Sequence, residues 1–391
     1  MSSKRKISIY GATGSIGQST KDVILANPEL FDVYVVTAQN NVKALADAAI
    51  QLNAKIAIIG NDQKLSELSS LLNGYDIEVF SGADAINESA YEKVDLIMAA
   101  IMGFAGLRPI MNAVEKGIDI AVANKEPLVA AGEMIMQRAR ETGSKILPVD
   151  SEHNAVFQVF EKDNINAVEK IILTASGGPF LSKTIDDVYN ASIDQALKHP
   201  NWTMGQKISI DSATMMNKAL EIIEARYLFD LPPEQIDVVI HPQSIIHSMV
   251  LYNDGSVLCQ MGASDMRTPI ASALGWPNRI NSGGDKLDVQ KLSQLEFQKP
   301  DFDRFPALAL AYRALEEGAA ACITLNAANE VAVESYLSGE IKFGQIIELN
   351  AYALETIYPD IANSSLKGLE DIENMDKTVR LSVREYIKTQ I

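Results

Sequence analysis

Three carboxylates and a lysine are the residues of this chain whose types and spacing best suit metal chemistry. Asp150 and Glu152 follow an apolar run, and Lys218 and Glu221 come about seventy residues later. Carboxylate oxygens are the ligands that Mg²⁺ and Mn²⁺ prefer. Residues two apart in a strand or turn point the same way, so Asp150 and Glu152 can share one ion. The sequence therefore predicts a divalent-cation site formed by Asp150, Glu152 and Glu221.

Each half of this predicted site also has a purely structural explanation. Asp150 or Ser151 would cap a helix, and Lys218 and Glu221 would form an ion pair on a solvated helix face. On a helix, however, Asn217, Lys218 and Glu221 lie within three or four positions of one another and share one face. An amide, an ammonium and a carboxylate side by side suit a polyoxygenated ligand with a cation, which favours the functional explanation.

A glycine-rich loop near the start of the chain indicates a dinucleotide site. Gly11, Gly14 and Gly17 follow a strand predicted over residues 6–10 and open a helix predicted over residues 16–25. Glycines let the backbone approach a pyrophosphate, and the N–H groups at the helix start bind it. A plain strand-to-helix connection is the alternative. Together with a cation site, the loop indicates metal-assisted redox chemistry.

The end of the second predicted strand bears on which dinucleotide binds. NAD sites commonly place a carboxylate there for the ribose 2′-hydroxyl, whereas this chain has Gln39, Asn40 and Asn41. The absence of an acid favours NADP, whose 2′-phosphate an acid would repel. Side-chain amides, backbone N–H groups and Lys43 are then the groups left to contact the 2′-phosphate.

Three further loops carry candidate ligands. Asn124-Lys125-Glu126 is either a surface ion pair or a segment in which the lysine contacts a substrate oxygen. Ser176-Gly177-Gly178 is either a turn or a phosphate cradle. The loop His199–Gly205 joins a histidine to Trp202, which is typical of a mobile lid, although a lone histidine is more often structural. Ser212 is expected to cap the helix that carries Lys218.

The elements that would position these residues follow two patterns. Short apolar strands alternate with helices over residues 1–149, which predicts a parallel, doubly wound, Rossmann-like sheet of the α/β class. Ligands on such sheets bind at the carboxyl ends of the strands, where Gly11, Lys125 and Asp150 are expected. Beyond residue 150, strand-like runs and an Asn253-Asp254-Gly255 hairpin turn predict an α+β domain with a mixed or antiparallel sheet.

The sequence accordingly divides into four predicted segments. We expect a dinucleotide-binding domain over residues 1–149 and a catalytic metal and substrate domain with its lid loop over residues 150–277. A polar linker covers residues 278–305. Four runs with helical spacing predict a C-terminal helical bundle over residues 306–391.

The bulk composition argues against several classes of function. The formal net charge of −17 would repel a phosphate backbone, so no nucleic-acid partner is expected. No apolar run is long enough to cross a membrane, and the first predicted strand leaves no room for a signal peptide. Cys259 and Cys322 lie in apolar sequence and are expected to be buried free thiols. These features predict a cytoplasmic protein.

Taken together, the motifs resemble those of the 1-deoxy-D-xylulose 5-phosphate reductoisomerase family. The resemblance covers nearly the whole chain, up to residues 325–330. It rests on GATGSIG (11–17), ANKE (123–126), PVDSEHNA (148–155), SGGPF (176–180), HPNWTMG (199–205) and DSATMMNK (211–218). It implies a homodimer that uses NADPH and Mn²⁺ or Mg²⁺, with Co²⁺ as a further candidate. Its substrate would be the sugar phosphate 1-deoxy-D-xylulose 5-phosphate, rearranged and reduced to 2-C-methyl-D-erythritol 4-phosphate in the non-mevalonate isoprenoid pathway.

The resemblance also implies roles for individual residues. Asp150, Glu152 and Glu221 would bind the metal, with Lys125 as a further catalytic group. The cofactor contacts that it implies are Thr13, Gly14, Ser15, Ile16, Asn124, Glu126 and Gly205. The amides after the second strand, Gln39, Asn40 and Asn41, are added as candidate contacts because no acid stands there. The implied substrate contacts are Lys125, Ser151, Glu152, Ser176, His199, Ser212, Asn217, Lys218 and Glu221. Ser176, Ser212, Asn217 and Lys218 would face the phosphate.

Two other functions remain open at the level of sequence. Another metal-dependent NAD(P) oxidoreductase, acting on a hydroxy acid or sugar phosphate, would need a different anion clamp. A nucleotide-sensing module would bind NADPH without metal-dependent turnover and would leave the three carboxylates unexplained. The sequence also leaves open whether the carbon skeleton rearranges by cleavage and rejoining of the C3–C4 bond or by a direct 1,2-shift.

Overall fold

The computed structural model describes residues 4–202 and 204–391, and its packing divides them into two units. The first unit contains residues 4–127, Met134–Asn154 and Asp265–Lys286. The second contains Leu128–Glu133, Ala155–Ser264 and Leu287–Ile391. Each unit is built around one sheet.

The strands and helices account for most of the described chain. The strands are β1 Arg5–Tyr10, β2 Phe31–Ala38, β3 Ile56–Ile59, β4 Glu78–Ser81, β5 Leu96–Ala99, β6 Asp119–Val122, β7 Ile146–Pro148, β8 Val168–Ala175, β9 Ile236–Ile240, β10 Ile246–Tyr252 and β11 Val257–Met261. The helices are α1 Ser15–Leu25, α2 Val42–Gln51, α3 Leu65–Leu71, α4 Ala83–Ser89, α5 Leu107–Glu115, α6 Glu126–Thr142, α7 Ser151–Val159, α8 Ile185–Tyr189, α9 Ile193–Ala196, α10 Gln206–Ala213, α11 Met216–Phe229, α12 Arg267–Gly275, α13 Ala307–Glu317, α14 Ala319–Leu337, α15 Gln345–Tyr352, α16 Tyr358–Ile361 and α17 Leu369–Gln390. A π-helical turn, Ala353–Ile357, joins α15 to α16.

The first unit contains a seven-stranded parallel sheet in the order β4-β3-β2-β1-β5-β6-β7. Strands β3 and β5 are buried along their whole length, as expected where helices cover both faces. The predicted doubly wound α/β fold is confirmed. The sequence did not reveal β4, because this edge strand alternates exposed and half-buried residues instead of forming an apolar run.

The topology brings several site candidates to one edge of this sheet. All seven strands run in the same direction, so their carboxyl ends lie on the same side. Gly11 follows β1, Gln39 follows β2, Asn124 follows β6 and Asp150 follows β7. The order of connection reverses at β1, whose neighbours are β2 and β5, and ligands typically bind at such a switch point.

The second unit contains a four-stranded mixed sheet in the order β11-β10-β8-β9. Strands β8 and β9 are parallel, and β10 pairs antiparallel with β8 and β11. The predicted hairpin turn joins β10 to β11, with Gly255 at φ 85°. The C-terminal helices predicted from their spacing are confirmed as α13, α14, α15 and α17. Because α14 is buried on nearly every side, apolar periodicity does not mark its start at Ala319.

The packing differs from the predicted division of the chain in one main respect. Asp265–Lys286, expected to belong to the catalytic segment and the linker, packs in the first unit, where α12 contacts α1, β6 and β7. Arg5 of β1 helps to hold this segment in the first unit, because its Nη1 donates to the carbonyl of Leu274 at 2.9 Å. The four-segment functional division therefore stays a prediction.

The two cysteines lie in different environments. Cys322 is buried, as predicted, and burial raises the pKa of its thiol to about 12. Cys259 is exposed, so the prediction of a second buried thiol was wrong. It lies on β11, an edge strand whose apolar residues are largely uncovered. No helix among residues 4–202 and 204–391 is long and apolar enough to cross a bilayer.

Candidate functional site

The glycine loop after β1 is shaped so that only glycine fits at two positions. A Cβ at Gly11, where φ is +86°, would lie 2.3 Å from the carbonyl oxygen of Ala100. A Cβ at Gly17 would lie 2.3 Å from the oxygen of Gly11. Gly14 occupies the N-cap of α1, with no side-chain cap and no acidic residue in the first turn. The helix start therefore presents backbone N–H groups and a positive dipole end, which suits an anion.

The residues predicted to contact the pyrophosphate surround this helix start. Gly14 and Ser15 are exposed, and Thr13 and Ile16 are half-buried. The loop is fixed to β2, because Thr37 Oγ1 accepts a hydrogen bond from the Gly11 N–H at 3.1 Å. A dinucleotide phosphate can therefore reach these backbone groups without displacing the core.

The three amides after β2 are exposed, and Asn40 and Asn41 are oriented by their neighbours. Asn61 Oδ1 accepts from the Gln63 N–H at 3.1 Å, which directs the Asn61 Nδ2 group to donate to Asn40 Oδ1 at 3.0 Å. Asn41 Oδ1 caps α2 by accepting from the Ala44 N–H at 3.1 Å. Both acceptor oxygens are thus engaged, which leaves the NH₂ groups of Asn40 and Asn41 to donate to an anion.

Asn124, Lys125 and Glu126 connect β6 to α6. Asn124 Nδ2 donates to the carbonyl of Ile101 at 2.6 Å, which fixes the loop to the end of the neighbouring strand. Lys125 is buried and its Nζ lies 2.8 Å from Asp150 Oδ2. The alternative of a surface Lys–Glu pair was therefore wrong, because the lysine pairs with one of the predicted metal ligands.

Asp150 and Glu152 lie at the start of α7, directly after β7. Asp150 Oδ1 accepts from the Glu152 N–H at 3.2 Å and lies 3.3 Å from His153 Nδ1, while Glu152 Oε2 accepts from Ser151 Oγ at 2.7 Å. Asp150 thus caps the helix, which begins at Ser151. The strand-or-turn alternation invoked for the two carboxylates was wrong, because the backbone is already helical at Glu152. This part of the first unit thus holds two of the three predicted metal ligands, Asp150 and Glu152, together with Lys125.

In the second unit, the loop after β8 positions a serine hydroxyl. Ser176 Oγ accepts from the Gly178 N–H at 3.1 Å and lies 3.0 Å from His199 Nε2. His199 Nδ1 accepts the N–H groups of Asn201 and Trp202, so the ring proton resides on Nε2, which donates to Ser176. With two donors on its oxygen, Ser176 is left to donate its own proton to an anion.

The predicted lid loop is anchored at its centre. Asn201 Nδ2 donates to the carbonyl of Pro242 at 2.6 Å and to Ser244 Oγ at 3.0 Å. The Trp202 ring lies 6.1 Å from the ring of His247. Thr203 lies outside the described residues, and Gly205 occupies the N-cap of α10. The structure gives His199 a specific partner in Ser176, another of the residues predicted to contact the substrate.

Ser212 does not cap the helix that follows it, contrary to the prediction. It lies in the last turn of α10, and α11 begins after Met215, whose φ is +61°. Thr214 Oγ1 accepts from the Met216 N–H at 3.2 Å and stabilises this break. The backbone of Ser212 also approaches the β8 loop closely, because a Cβ at Gly178 would lie 2.8 Å from the Ser212 oxygen.

The first turns of α11 contain a buried polar cluster. Asn217 Nδ2 donates to Glu221 Oε1, and Lys218 Nζ donates to Glu221 Oε2. Glu221 is fully buried and Lys218 is 3% exposed. The prediction that these three side chains share one helix face is confirmed, and the alternative of a solvated ion pair was wrong.

Several residues that orient the candidates were not predicted from the sequence. Asn61 orients Asn40, Asn201 anchors the lid loop, and His153 contacts Asp150. Asn201 and His153 occur in the quoted motifs, so their positions were visible but their partners were not. Asn61 carries no local signal, since its contact depends on the parallel pairing of β2 and β3.

Comparisons with known proteins agree along the whole chain. A family model described as 1-deoxy-D-xylulose 5-phosphate reductoisomerase matches residues 7–132. Models of two C-terminal domains of that enzyme match residues 146–229 and 261–382. The 1-deoxy-D-xylulose 5-phosphate reductoisomerase of Bradyrhizobium diazoefficiens is 48% identical over 379 residues, which cover 97% of this chain and 93% of that protein.

Solved structures of the same enzyme superpose closely. The Zymomonas mobilis 1-deoxy-D-xylulose 5-phosphate reductoisomerase in complex with NADPH gives a TM-score of 0.92 at 44% identity, covering 100% of both chains. A DOX-P reductoisomerase in complex with NADPH, fosmidomycin and magnesium gives 0.95 at 42% identity, covering 98% of both chains. The chain belongs to the 1-deoxy-D-xylulose 5-phosphate reductoisomerase family.

Proposed function

We propose that this chain catalyses the NADPH-dependent rearrangement and reduction of 1-deoxy-D-xylulose 5-phosphate to 2-C-methyl-D-erythritol 4-phosphate with a divalent cation. The observation that carries the proposal is the buried cluster of α11, in which Asn217, Lys218 and Glu221 combine donors, a cation and a carboxylate. Such a set suits a substrate that has a phosphate at one end and metal-binding oxygens at the other. Family membership and the NADPH and magnesium complexes of its relatives support the same conclusion.

The glycine loop fits NADPH. The close approach of Gly11 and Gly17 to neighbouring backbone leaves the space above α1 to a pyrophosphate, held by Thr13, Gly14, Ser15 and Ile16. We assign the adenosine 2′-phosphate to Gln39, Asn40 and Asn41, whose amides donate without a formal charge. Asn124, Glu126 and Gly205 are proposed as the remaining contacts, toward the nicotinamide and the lid.

We assign the divalent cation to Asp150, Glu152 and Glu221. All three donors are carboxylates, a set that suits Mg²⁺ or Mn²⁺ better than softer metals. When bound there, the cation supplies Lewis acidity toward the substrate carbonyl and hydroxyl oxygens. Lys125, which pairs with Asp150, is proposed to contact a substrate oxygen as well, and Ser151 lies beside Glu152 for the same purpose. Magnesium is the ion found with relatives, and use of Mn²⁺ or Co²⁺ by this chain is part of the proposal.

The phosphate of the substrate is assigned to Ser176, Ser212, Asn217 and Lys218. Ser176 is oriented to donate its hydroxyl proton, and Lys218 brings a positive charge to a chain whose net charge is −17. His199 orients Ser176 through Nε2 and its own backbone neighbours through Nδ1. Closure of the His199–Gly205 loop over bound substrate would then exclude water from the reacting groups.

Product identification tests this function directly. We expect nuclear magnetic resonance of a mixture containing 1-deoxy-D-xylulose 5-phosphate, NADPH and Mg²⁺ to show the branched tetrol phosphate as the only new carbon skeleton. Reduction of the substrate without rearrangement would favour another metal-dependent NAD(P) oxidoreductase. NADPH binding with no new product would favour a nucleotide sensor.

A homodimer is also part of the proposal, and β11 supports it. This strand forms one edge of the sheet in the second unit, where Val257 is 50% exposed and Leu258 43% exposed. An apolar edge strand of this kind readily pairs with another chain, and a second copy offers the same edge. Light scattering should give twice the chain mass for the native protein, and Leu258→Lys should give a monomer. A native monomer would contradict the dimer without affecting the catalytic assignment.

A cytoplasmic location completes the proposal. The two cysteines are both free thiols, as expected in a reducing compartment. Fractionation of cells that express the chain should recover it with cytoplasmic markers. Recovery with the membrane or an extracellular fraction would contradict this part.

A further inference from the structure

A buried carboxylate next to Ser212 is not used by the proposed reaction. Asp211 lies in the last turn of α10 and is 2% exposed. Both of its oxygens are engaged: Oδ2 lies 2.8 Å from Lys207 Nζ, and Oδ1 accepts from Asn329 Nδ2 at 2.8 Å. Burying a carboxylate is costly unless such partners compensate for the lost water.

The hydrogen bonds continue into the C-terminal helices. Asn329 lies on α14 and is fully buried, and its Oδ1 accepts from Asn350 Nδ2 of α15 at 3.3 Å. The amide of Asn329 is therefore fixed at both ends, with its donor toward Asp211 and its acceptor toward Asn350. This fixes a side chain of α10 relative to two helices that contribute no residue to the proposed site.

The apolar surroundings strengthen the hydrogen bonds of this network and disfavour other arrangements of its polar groups. Ile210 and Ala213 of α10 pack in one core cluster with Ala328 and Val331 of α14. Hydrogen bonds in such a core are stronger than in water, and a misplaced polar group there is penalised. Well-packed apolar residues often stabilise a core as much as buried polar groups do, so the distinctive contribution of this network is the one geometry that its hydrogen bonds allow.

That geometry matters because α10 ends in a strained turn. Met215 adopts a left-handed conformation, which costs about 1 kcal/mol or more for a residue other than glycine and persists only where its surroundings fix it. The turn separates Ser212 from Asn217 and Lys218. Asp211 directly precedes Ser212, so the network fixes the last turn of α10 at the point where the proposed phosphate ligands begin.

We propose that Asp211 and Asn329 are positioning residues that hold Ser212 and the first turn of α11 in the geometry that binds the substrate phosphate. The inference rests on the proposed phosphate site. It adds a role for the C-terminal helices, which act on the site through Asn329 and Asn350 without touching the substrate.

Steady-state kinetics of Asn329→Ala in the full-length protein tests the proposal. We expect the KM for 1-deoxy-D-xylulose 5-phosphate and the inhibition constant of inorganic phosphate each to rise about tenfold, the equivalent of one net hydrogen bond. The dissociation constant of NADPH should stay unchanged, because the glycine loop is not involved. Asp211→Asn keeps an oxygen that can accept from Asn329, so this variant should have a KM close to that of the wild type.

Asn326→Ala is the matched control. Asn326 lies on the same helix and is equally buried, but its Nδ2 donates to Glu330 of that helix at 3.2 Å, and among residues 4–202 and 204–391 it makes no hydrogen bond to α10. It should lower stability without raising the KM. An equal rise in KM for Asn326→Ala, or an unchanged KM for Asn329→Ala, would overturn the positioning role.

Two further variants make the result decisive. If Asn329→Ala does not fold, Asn350→Ala removes only the outer hydrogen bond and should raise the KM about threefold, and an unchanged KM then overturns the proposal. Ser212→Ala tests the phosphate site itself. If Ser212→Ala leaves the KM unchanged, the phosphate assignment fails, whereas a raised KM for Ser212→Ala with an unchanged KM for Asn329→Ala refutes the network alone.

Discussion

Substitution of Lys218 by methionine tests two contributions of the buried cluster on α11, one to the stability of the fold and one to substrate binding. Lys218 Nζ donates to Glu221 Oε2, and both side chains are buried. Removing one member of a buried ion pair costs about 3–5 kcal/mol, because the remaining charge stays buried. The hydrogen bond from Asn217 to Glu221 persists and offsets about 1 kcal/mol. We therefore expect Lys218→Met to lower the free energy of unfolding by about 2–4 kcal/mol.

The same substitution should weaken substrate binding. A hydrogen bond to a charged group contributes about 1.5–3 kcal/mol, which corresponds to a KM raised by about 10- to 150-fold for 1-deoxy-D-xylulose 5-phosphate. Kinetics at saturating NADPH measure the KM, and denaturation in a chelator measures stability without the cation. NADPH affinity should not change, because Lys218 is not among the residues assigned to the cofactor.

The double substitution Lys218→Met and Glu221→Gln provides the internal check. It removes both charges, so stability should return to within about 1 kcal/mol of the wild type. Lys170→Met is the matched control, since Lys170 pairs with Asp237 at 2.8 Å on the same unit but both side chains are substantially exposed. That control should change stability by at most about 1 kcal/mol and leave the KM unaltered. A Lys218→Met protein with wild-type stability and KM, or a double variant no more stable than the single one, would refute the reasoning.

Three further predictions address the cofactor site and the thiols. Asn40→Asp should lower the NADPH-to-NADH preference in kcat/KM by at least about tenfold, because a carboxylate repels the 2′-phosphate and accepts from a 2′-hydroxyl; an unchanged ratio would place the 2′-phosphate elsewhere. Gly11→Ala should abolish detectable NADPH binding in calorimetry, because its Cβ would overlap the carbonyl of Ala100, and wild-type affinity would contradict the loop assignment. A thiol reagent at neutral pH should label Cys259 alone, since burial raises the pKa of Cys322 to about 12, and labelling of two thiols in the native protein would contradict its burial.

Much of the fold could be predicted because local patterns and tertiary packing agree there. The buried strands of the parallel sheet are continuous apolar runs, and the glycine spacing marks the first turn. β4 escaped prediction because an edge strand needs no apolar run. The packing of Asp265–Lys286 in the first unit was not predicted either, because it depends on contacts between residues far apart in the sequence, such as Arg5 with Leu274.

The candidate site was predictable in residue type but less so in geometry. The shared face of Asn217, Lys218 and Glu221 follows from helical spacing alone. Asp150 caps α7, which is the structural alternative that the sequence had offered. The break at Met215 replaces the Ser212 cap that the sequence suggested. The exposure of Cys259 could not be seen from an apolar neighbourhood, because the sequence does not tell an edge strand from a covered one.

The most direct test of the central claim is the rate of NADPH oxidation, followed by absorbance, with 1-deoxy-D-xylulose 5-phosphate and with or without Mg²⁺. The proposed function predicts oxidation only when substrate and cation are both present, with loss of the rate in chelator and its recovery on adding Mg²⁺ or Mn²⁺. Glu221→Gln should reduce that rate strongly while NADPH binding persists. Substrate-dependent oxidation that is unaffected by chelator, or no oxidation despite measurable NADPH binding, would contradict the account.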